Sequence, residues 1–281
     1  MSTGGDGPDV VSGLAGAVAA TSWDRAPAAV RDRVVDLVAD TVAVAALGSA
    51  RPELRALATL HAATAPEGSA TAVGSARGWP AATAALLDGA AVAADQLQDG
   101  HREARGHPAS HVVPAVLALA AEHDAGGVET LSAVLAGYEA GVRVGRAMGG
   151  TPDGVHDIGT WGAVAAAAGV ARLLAPGDAA AAQRALELAA AAVLLTDAGT
   201  VFTGTTGSHA FLGVSTQLGL SLGLAAVAGL APAPGSLDRH LRRVAARAWA
   251  PTALAVDGGW SRFEVLAVTS RPTRPAPTCT A

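Results

Sequence analysis

Apolar residues return every three or four positions along most of this chain, the spacing of one buried helix face. Residues 27–47 show it best: Val30, Val34, Leu37, Val38, Thr41, Val42 and Ala45 share a face, Pro27 suits the first turn and Gly48 stops the run. Further helices are predicted over residues 53–64, 80–94, 108–123, 129–148, 159–174, 178–195 and 209–230, with a turn-rich link at 66–78. Pro232 and Pro234 break the pattern, and an arginine-rich amphipathic helix is predicted over 236–250. In WSRFEVLAVTS the period changes to about two, which predicts a strand; the final eleven residues, RPTRPAPTCTA, hold three prolines. The pattern predicts an all-α multi-helix bundle over residues 10–235, with a short C-terminal extension at 236–281 and a loose, glycine-rich tail at 1–9 in place of a signal peptide.

Composition says how such helices pack. The 281 residues are 51 % hydrophobic but only 3 % aromatic, with 34 glycines, so the core must be built from small side chains that let helices approach closely. The charged fraction of 15 % is too low for a disordered chain, and a net charge of −5 argues against a nucleic-acid surface. Residues 213–231 lack charges but carry Ser215, Thr216, Gln217 and Ser221, so a buried helix is favoured over a membrane span.

The 19 lysine-plus-arginine positions are all arginine. Without lysine there is no phosphate-binding P-loop and no Schiff-base or pyridoxal chemistry. The single thiol, Cys279, can neither close an internal disulfide nor hold a cysteine-ligated cluster, and it suits the reducing cytoplasm. No cofactor and no metal is expected.

Three polar segments each feed a helix N-terminus, where free N–H groups and the dipole favour anions: residues 99–108, 153–160 and 203–209. They carry Asp99, His101, His107, His156, Thr160, Ser208 and His209. Converging, they would make a site for a small carboxylic acid; apart, they are ordinary caps with surface histidines. Imidazole titrates near neutrality, so the Asp99, His101 and His107 group has the right chemistry for acid–base work. His107 and His111 have zinc-helix spacing, but the general-base glutamate is missing and Pro108 puts His107 at the cap, so His111 reads as a buried or boundary histidine. Ser208 lacks a nucleophile elbow and reads as a capping residue. Tyr138 and Glu139 read as structural, and Arg143 and Arg146 either bind a carboxylate or, the favoured reading, lie on a solvated face.

The order of five segments resembles the MmgE/PrpD family: the opening helix WDRAPAAVRDRVVDLVADTVAVAALGS, then DGHREARGHPASHVVPAVLALAAEH, LAGYEAGVRVGRAM, GVHDIGTWGAVAAAAGVARLL and ALELAAAAVLLTDAGT. The resemblance implies an all-α domain joined to a smaller α/β domain, with the site between them. It implies cofactor-free proton transfer beside a carboxylate, as in 2-methylcitrate dehydratases, cis-aconitate decarboxylase and iminodisuccinate epimerases. His107 then matches the His-Pro histidine, His156 the Gly-x-His histidine, and Asp99 the last acid of an aspartate-rich turn; these are the expected catalytic residues. His101, Thr160, Ser208, His209 and Arg274 are the expected substrate-binding residues, with Ser208 at the place of a family lysine and Arg274 at that of another.

Residues 236–281 read as a truncated remnant of the second domain, most of which this sequence does not contain. Two variants of an enzyme follow, both lyase or isomerase. A partner chain supplies the second half, or the helical domain serves an isomerase or cyclase reaction on a less polar substrate. The rival is a non-catalytic subunit. The apolar face left uncovered implies a homodimer or a heteromer.

Overall fold

Alanine and glycine decide how closely the helices of this chain sit. The computed structural model describes residues 10–269. Its α-helices are α1 (Val10–Ala20), α2 (Ala28–Ser49), α3 (Pro52–Ala62), α4 (Ala81–Ala93), α5 (Pro108–Glu122), α6 (Gly127–Met148), α7 (Trp161–Leu174), α8 (Ala179–Ala191), α9 (Ala198–Phe202), α10 (Gly207–Val227) and α11 (Ser236–Val244). Two antiparallel two-residue ladders complete it: β1 (Ala70–Thr71) with β2 (Gly78–Trp79), and β3 (Gly100–His101) with β4 (Val268–Thr269). The chain is all-α, as the apolar spacing predicts.

Helices α4, α5, α6, α7 and α10 form the centre, with α1, α2, α8 and α11 packed around them. The contact of α6 with α7 depends on Gly141, where an added Cβ would stand 2.3 Å from the Cβ of Ala165. In the contact of α10 with α4, a Cβ on Gly213 would stand 2.5 Å from the backbone oxygen of Leu86. Backbones this close replace bulky side chains as the source of dispersion contact. Helix α10 is, among the described residues, the one long and apolar enough to cross a bilayer; here it packs on α4, α5, α7 and α8.

The ends of the chain depart from the apolar pattern. Residues 10–20 form a helix whose one-sided apolar spacing is blurred by alanine and glycine on every face. The helix predicted over 236–250 stops at Val244, and the chain then turns back: Arg247 N–H donates to the oxygen of Gly150 (2.8 Å) and Ala250 N–H to that of Ala147 (2.8 Å). Over the described part of the WSRFEVLAVTS segment, residues 260–269, the predicted strand is mostly absent. Residues 264–267 make a 3-10 turn and only β4 is extended, because a buried glutamate of α6 takes this backbone's N–H groups. Glu139 accepts from Glu264 N–H and Val265 N–H (2.9 Å each), pairs with Arg143 at 2.5 Å, and is fully buried. Burial outweighs the Arg143 charge and pushes the Glu139 carboxyl above its ordinary value. Arg143 also donates to the oxygen of Arg262 (2.6 Å) and lies 4.7 Å from the Trp260 ring centre. The solvated face favoured for Arg143 and Arg146 is therefore corrected: Arg143 is buried, and Arg146 pairs with Glu103 (2.7 Å) and Glu264 (2.5 Å). Residues 236–269 thus pack onto the helical body.

Candidate active site

A short turn and a loop, brought together by α5, α6 and α7, build a cavity of about 760 Å³. The turn runs from His101 to Gly106. His101 N–H donates to Gly106 O (2.8 Å), Arg105 N–H donates to His101 O (2.8 Å), and Arg105 takes the left-handed conformation with φ 56°. Gly106 has no room for a side chain: a Cβ there would stand 2.2 Å from Asp157 Oδ2 and 2.5 Å from the Trp161 ring. The loop over 150–158 is held from the other side, His156 N–H donating to Thr196 O and Ala198 N–H to Gly154 O (2.9 Å each).

Asp99, His101, His107 and His156 all line this cavity, so the tertiary structure brings four of the expected site residues together. Asp99 lies just after α4 and is buried. Its carboxylate faces the start of α5, accepting from Ala109 N–H (3.2 Å) and the Ser110 hydroxyl (3.4 Å). Burial pushes its pKa up to about 6, while His107 and the two donors pull the other way. Its contact with His107 runs through the backbone: His107 Nδ1 is 2.5 Å from Asp99 O. A carbonyl only accepts, so Nδ1 carries the proton and the neutral ring leaves the Nε2 lone pair free.

Two groups meet Nδ1 of His156. Ile158 N–H approaches it at 3.3 Å. Asp157 Oδ1 lies 2.9 Å from the same Nδ1, a counter-ion for the ring when it is doubly protonated. The edge of the ring meets Phe202, 80 % exposed, at 5.5 Å between centroids. His111 lies beneath, fully buried, its ring 6.3 Å from that of Trp161; burial pushes its pKa down to about 4, so it is a neutral core group, as expected. His101 is buried too, with Nδ1 accepting from Ala104 N–H (3.2 Å) and Nε2 3.8 Å from Glu264 Oε2. Burial lowers its pKa, with Glu264 the largest opposing influence.

The remaining expected residues lie elsewhere. Thr160 is wholly buried at the start of α7, its hydroxyl bonded to Asp157 O (2.6 Å), so it supports the loop from behind. Ser208 sits in the first turn of α10 with its hydroxyl on Thr205 O (3.1 Å). His209 faces α3, with Nδ1 4.0 Å from Glu53 Oε1 and its pKa lowered chiefly by burial, near the Arg51–Asp95 ion pair. Neither Ser208 nor His209 lines the cavity. Arg274 lies outside the described residues. Within its segments the polar-loop pattern did not single out Arg105 and Asp157, and it missed Trp161, Phe202 and Arg247; all five line the cavity. Asp157 is legible as the neighbour of His156; Arg247, ninety positions on, leaves no local signal.

The fold and the cavity define an all-α domain with histidines at a polar opening. Residues 12–240 match the MmgE/PrpD N-terminal domain, and the chain belongs to the MmgE/PrpD family. It is 34 % identical over 158 residues to the cis-aconitate decarboxylase-like protein oryM of Aspergillus oryzae, covering 53 % of this chain and 33 % of that protein. It is 31 % identical over 159 residues to the cis-aconitate decarboxylase of Aspergillus terreus, covering 54 % of this chain and 32 % of that one. The matched region thus spans about a third of the length of these curated relatives.

Proposed function

We propose that this domain works in cofactor-free acid–base chemistry on a small carboxylated substrate, abstracting a proton alpha to a carbonyl or carboxylate. The observation that carries the reading is two histidines lining one cavity, His107 with Nδ1 on a carbonyl and His156 with Nδ1 on the Asp157 carboxylate. His107, with Nε2 free, takes the proton; His156, doubly protonated with Asp157 as its counter-ion at Nδ1, donates from Nε2 toward the oxygen on which charge develops or toward the departing group. Asp99 is a positioning residue: its backbone oxygen sets the His107 tautomer and its carboxylate ties that loop to the start of α5. Positioned acid–base groups of this kind contribute roughly 10²–10⁴-fold each to rate.

Elimination of water, decarboxylation and epimerisation share this first step, and the likeness to cis-aconitate decarboxylases favours a lyase outcome. A second copy, or a chain carrying the family's second domain, would close the cavity, which opens beside the exposed Phe202. A cytoplasmic setting fits the lone thiol. The test is deuterium wash-in from D₂O into a panel of di- and tricarboxylates, alone and with a second-domain partner. Exchange in the wild type that both His107→Ala and His156→Ala abolish is expected. Absence of exchange into every acid, with and without the partner, overturns the reading.

A further inference from the structure

We propose that Arg105 and Arg247 form the anion anchor of this cavity, gripping a carboxylate of the substrate that does not react. The assignment rests on the acid–base reading only for the identity of the ligand. Both arginines line the cavity, from parts of the chain more than a hundred residues apart, and both are built against Gly150. A Cβ on Gly150 would stand 3.0 Å from Arg105 Nη1, so the bare glycine lets that guanidinium lie across the loop. The oxygen of Gly150 accepts from Arg247 N–H at 2.8 Å, which fixes the second arginine's backbone to the same point.

Two features separate this pair from ordinary surface arginines. Among the described residues neither pairs with a carboxylate: of the acids on the same loop, Asp157 meets His156 and Asp153 forms no ion pair, while Glu103 and Glu264 pair with Arg146 and Arg262. Two guanidinium groups on one cavity wall that form no ion pair keep their forked N–H donors available for a substrate carboxylate. Arg105 also occupies the left-handed region, φ 56°, where a residue with a Cβ is strained and glycine is not. A non-glycine residue in that place costs stability and holds the side chain at the cavity wall.

Titration calorimetry of the full chain with propane-1,2,3-tricarboxylate and with propionate tests the pair. Salt-sensitive binding of the tricarboxylate, far weaker for propionate, is expected. Arg105→Gly and Arg247→Gln should each weaken it about tenfold to a hundredfold, as loss of a charge-assisted bond does. Arg105→Lys should recover part of the loss. Arg242→Gln, at an exposed arginine of α11 outside the cavity, should bind as the wild type does. The melting temperature of Arg105→Gly should equal or exceed the wild type's, because glycine relieves the backbone; a purely structural Arg105 would melt earlier. Binding by the Arg105 and Arg247 variants equal to that of the wild type, or no binding by the wild type, overturns the proposal. The two readings fail separately. Arginine-dependent binding without deuterium exchange removes the acid–base reading and leaves the anchor, and exchange indifferent to both arginines does the reverse.

Discussion

The ring of His107 is held by a backbone oxygen, that of Asp99, at 2.5 Å from Nδ1, and not by the Asp99 carboxylate, which is turned to the first N–H groups of α5. The tautomer of the candidate base therefore survives a change of Asp99 protonation state. At His156 the Asp157 carboxylate meets Nδ1 at 2.9 Å, so the doubly protonated ring has a counter-ion there and keeps Nε2 as a donor.

Long-range ¹⁵N–¹H spectra at neutral pH should show His107 protonated on Nδ1 alone and His156 carrying a proton on Nε2. The same protonation pattern in both rings would remove the division into base and donor.

Asp88, buried in α4 and accepting from Val73 N–H (2.7 Å), has its pKa pushed up to about 7 by burial, against an ordinary 3.8. The native state therefore keeps a proton that the unfolded chain has already released, and stability falls as pH rises from 3.8 to about 7. Asp99, raised to about 6, acts in the same sense, while His111, lowered to about 4, costs stability as pH falls below 6.5. Asp88→Asn should raise the melting temperature at pH 8 much more than at pH 5, by the equivalent of a few kcal/mol, on the order expected for shifts of this size. An equal change at both pH values would refute the linkage.

Gly106→Ala forces a Cβ onto Asp157 and Trp161, both on the cavity wall. It should destabilise the domain by about 1–3 kcal/mol, the range for overpacking. Because Asp157 adjoins His156, deuterium exchange should drop further than unfolding alone accounts for. Denaturant melts run beside the exchange assay separate the two effects.

Glu139→Ala leaves Arg143 buried without its partner and takes away the acceptor for the N–H groups of Glu264 and Val265. The expected cost is about 3–5 kcal/mol. Early tryptic cleavage at Arg262, absent in the wild type, should accompany it, because residues 260–269 lose their hold on α6.

The main helices are legible in the sequence because their apolar faces are long, and few structures except a helix sustain a 3.6-residue period over many positions. Proline at the first position of α5 and glycine after α6 mark ends that the structure keeps. What escapes is short or two-sided: α1, where alanine and glycine blur the face, and α9, five residues long. Period two near the C-terminus misleads because a strand's spacing can also come from residues that alternate around a buried glutamate of another element. The histidines stand out by their chemistry and their place before helices; Arg247 has neither.

By itself the sequence determined the all-α class, the small-residue core and the excluded chemistries, since each follows from composition or from contacts a few positions apart. The tertiary structure alone decided which polar segments meet. It joined the turn after β3 to the loop before α7 and set the 203–209 segment apart against α3, and it turned Arg143 inward to a glutamate one helical turn away. Convergence of that kind depends on how closely helices such as α6 and α7 approach. That distance is set at Gly141 by a residue on another helix, and no pattern local to one segment contains it.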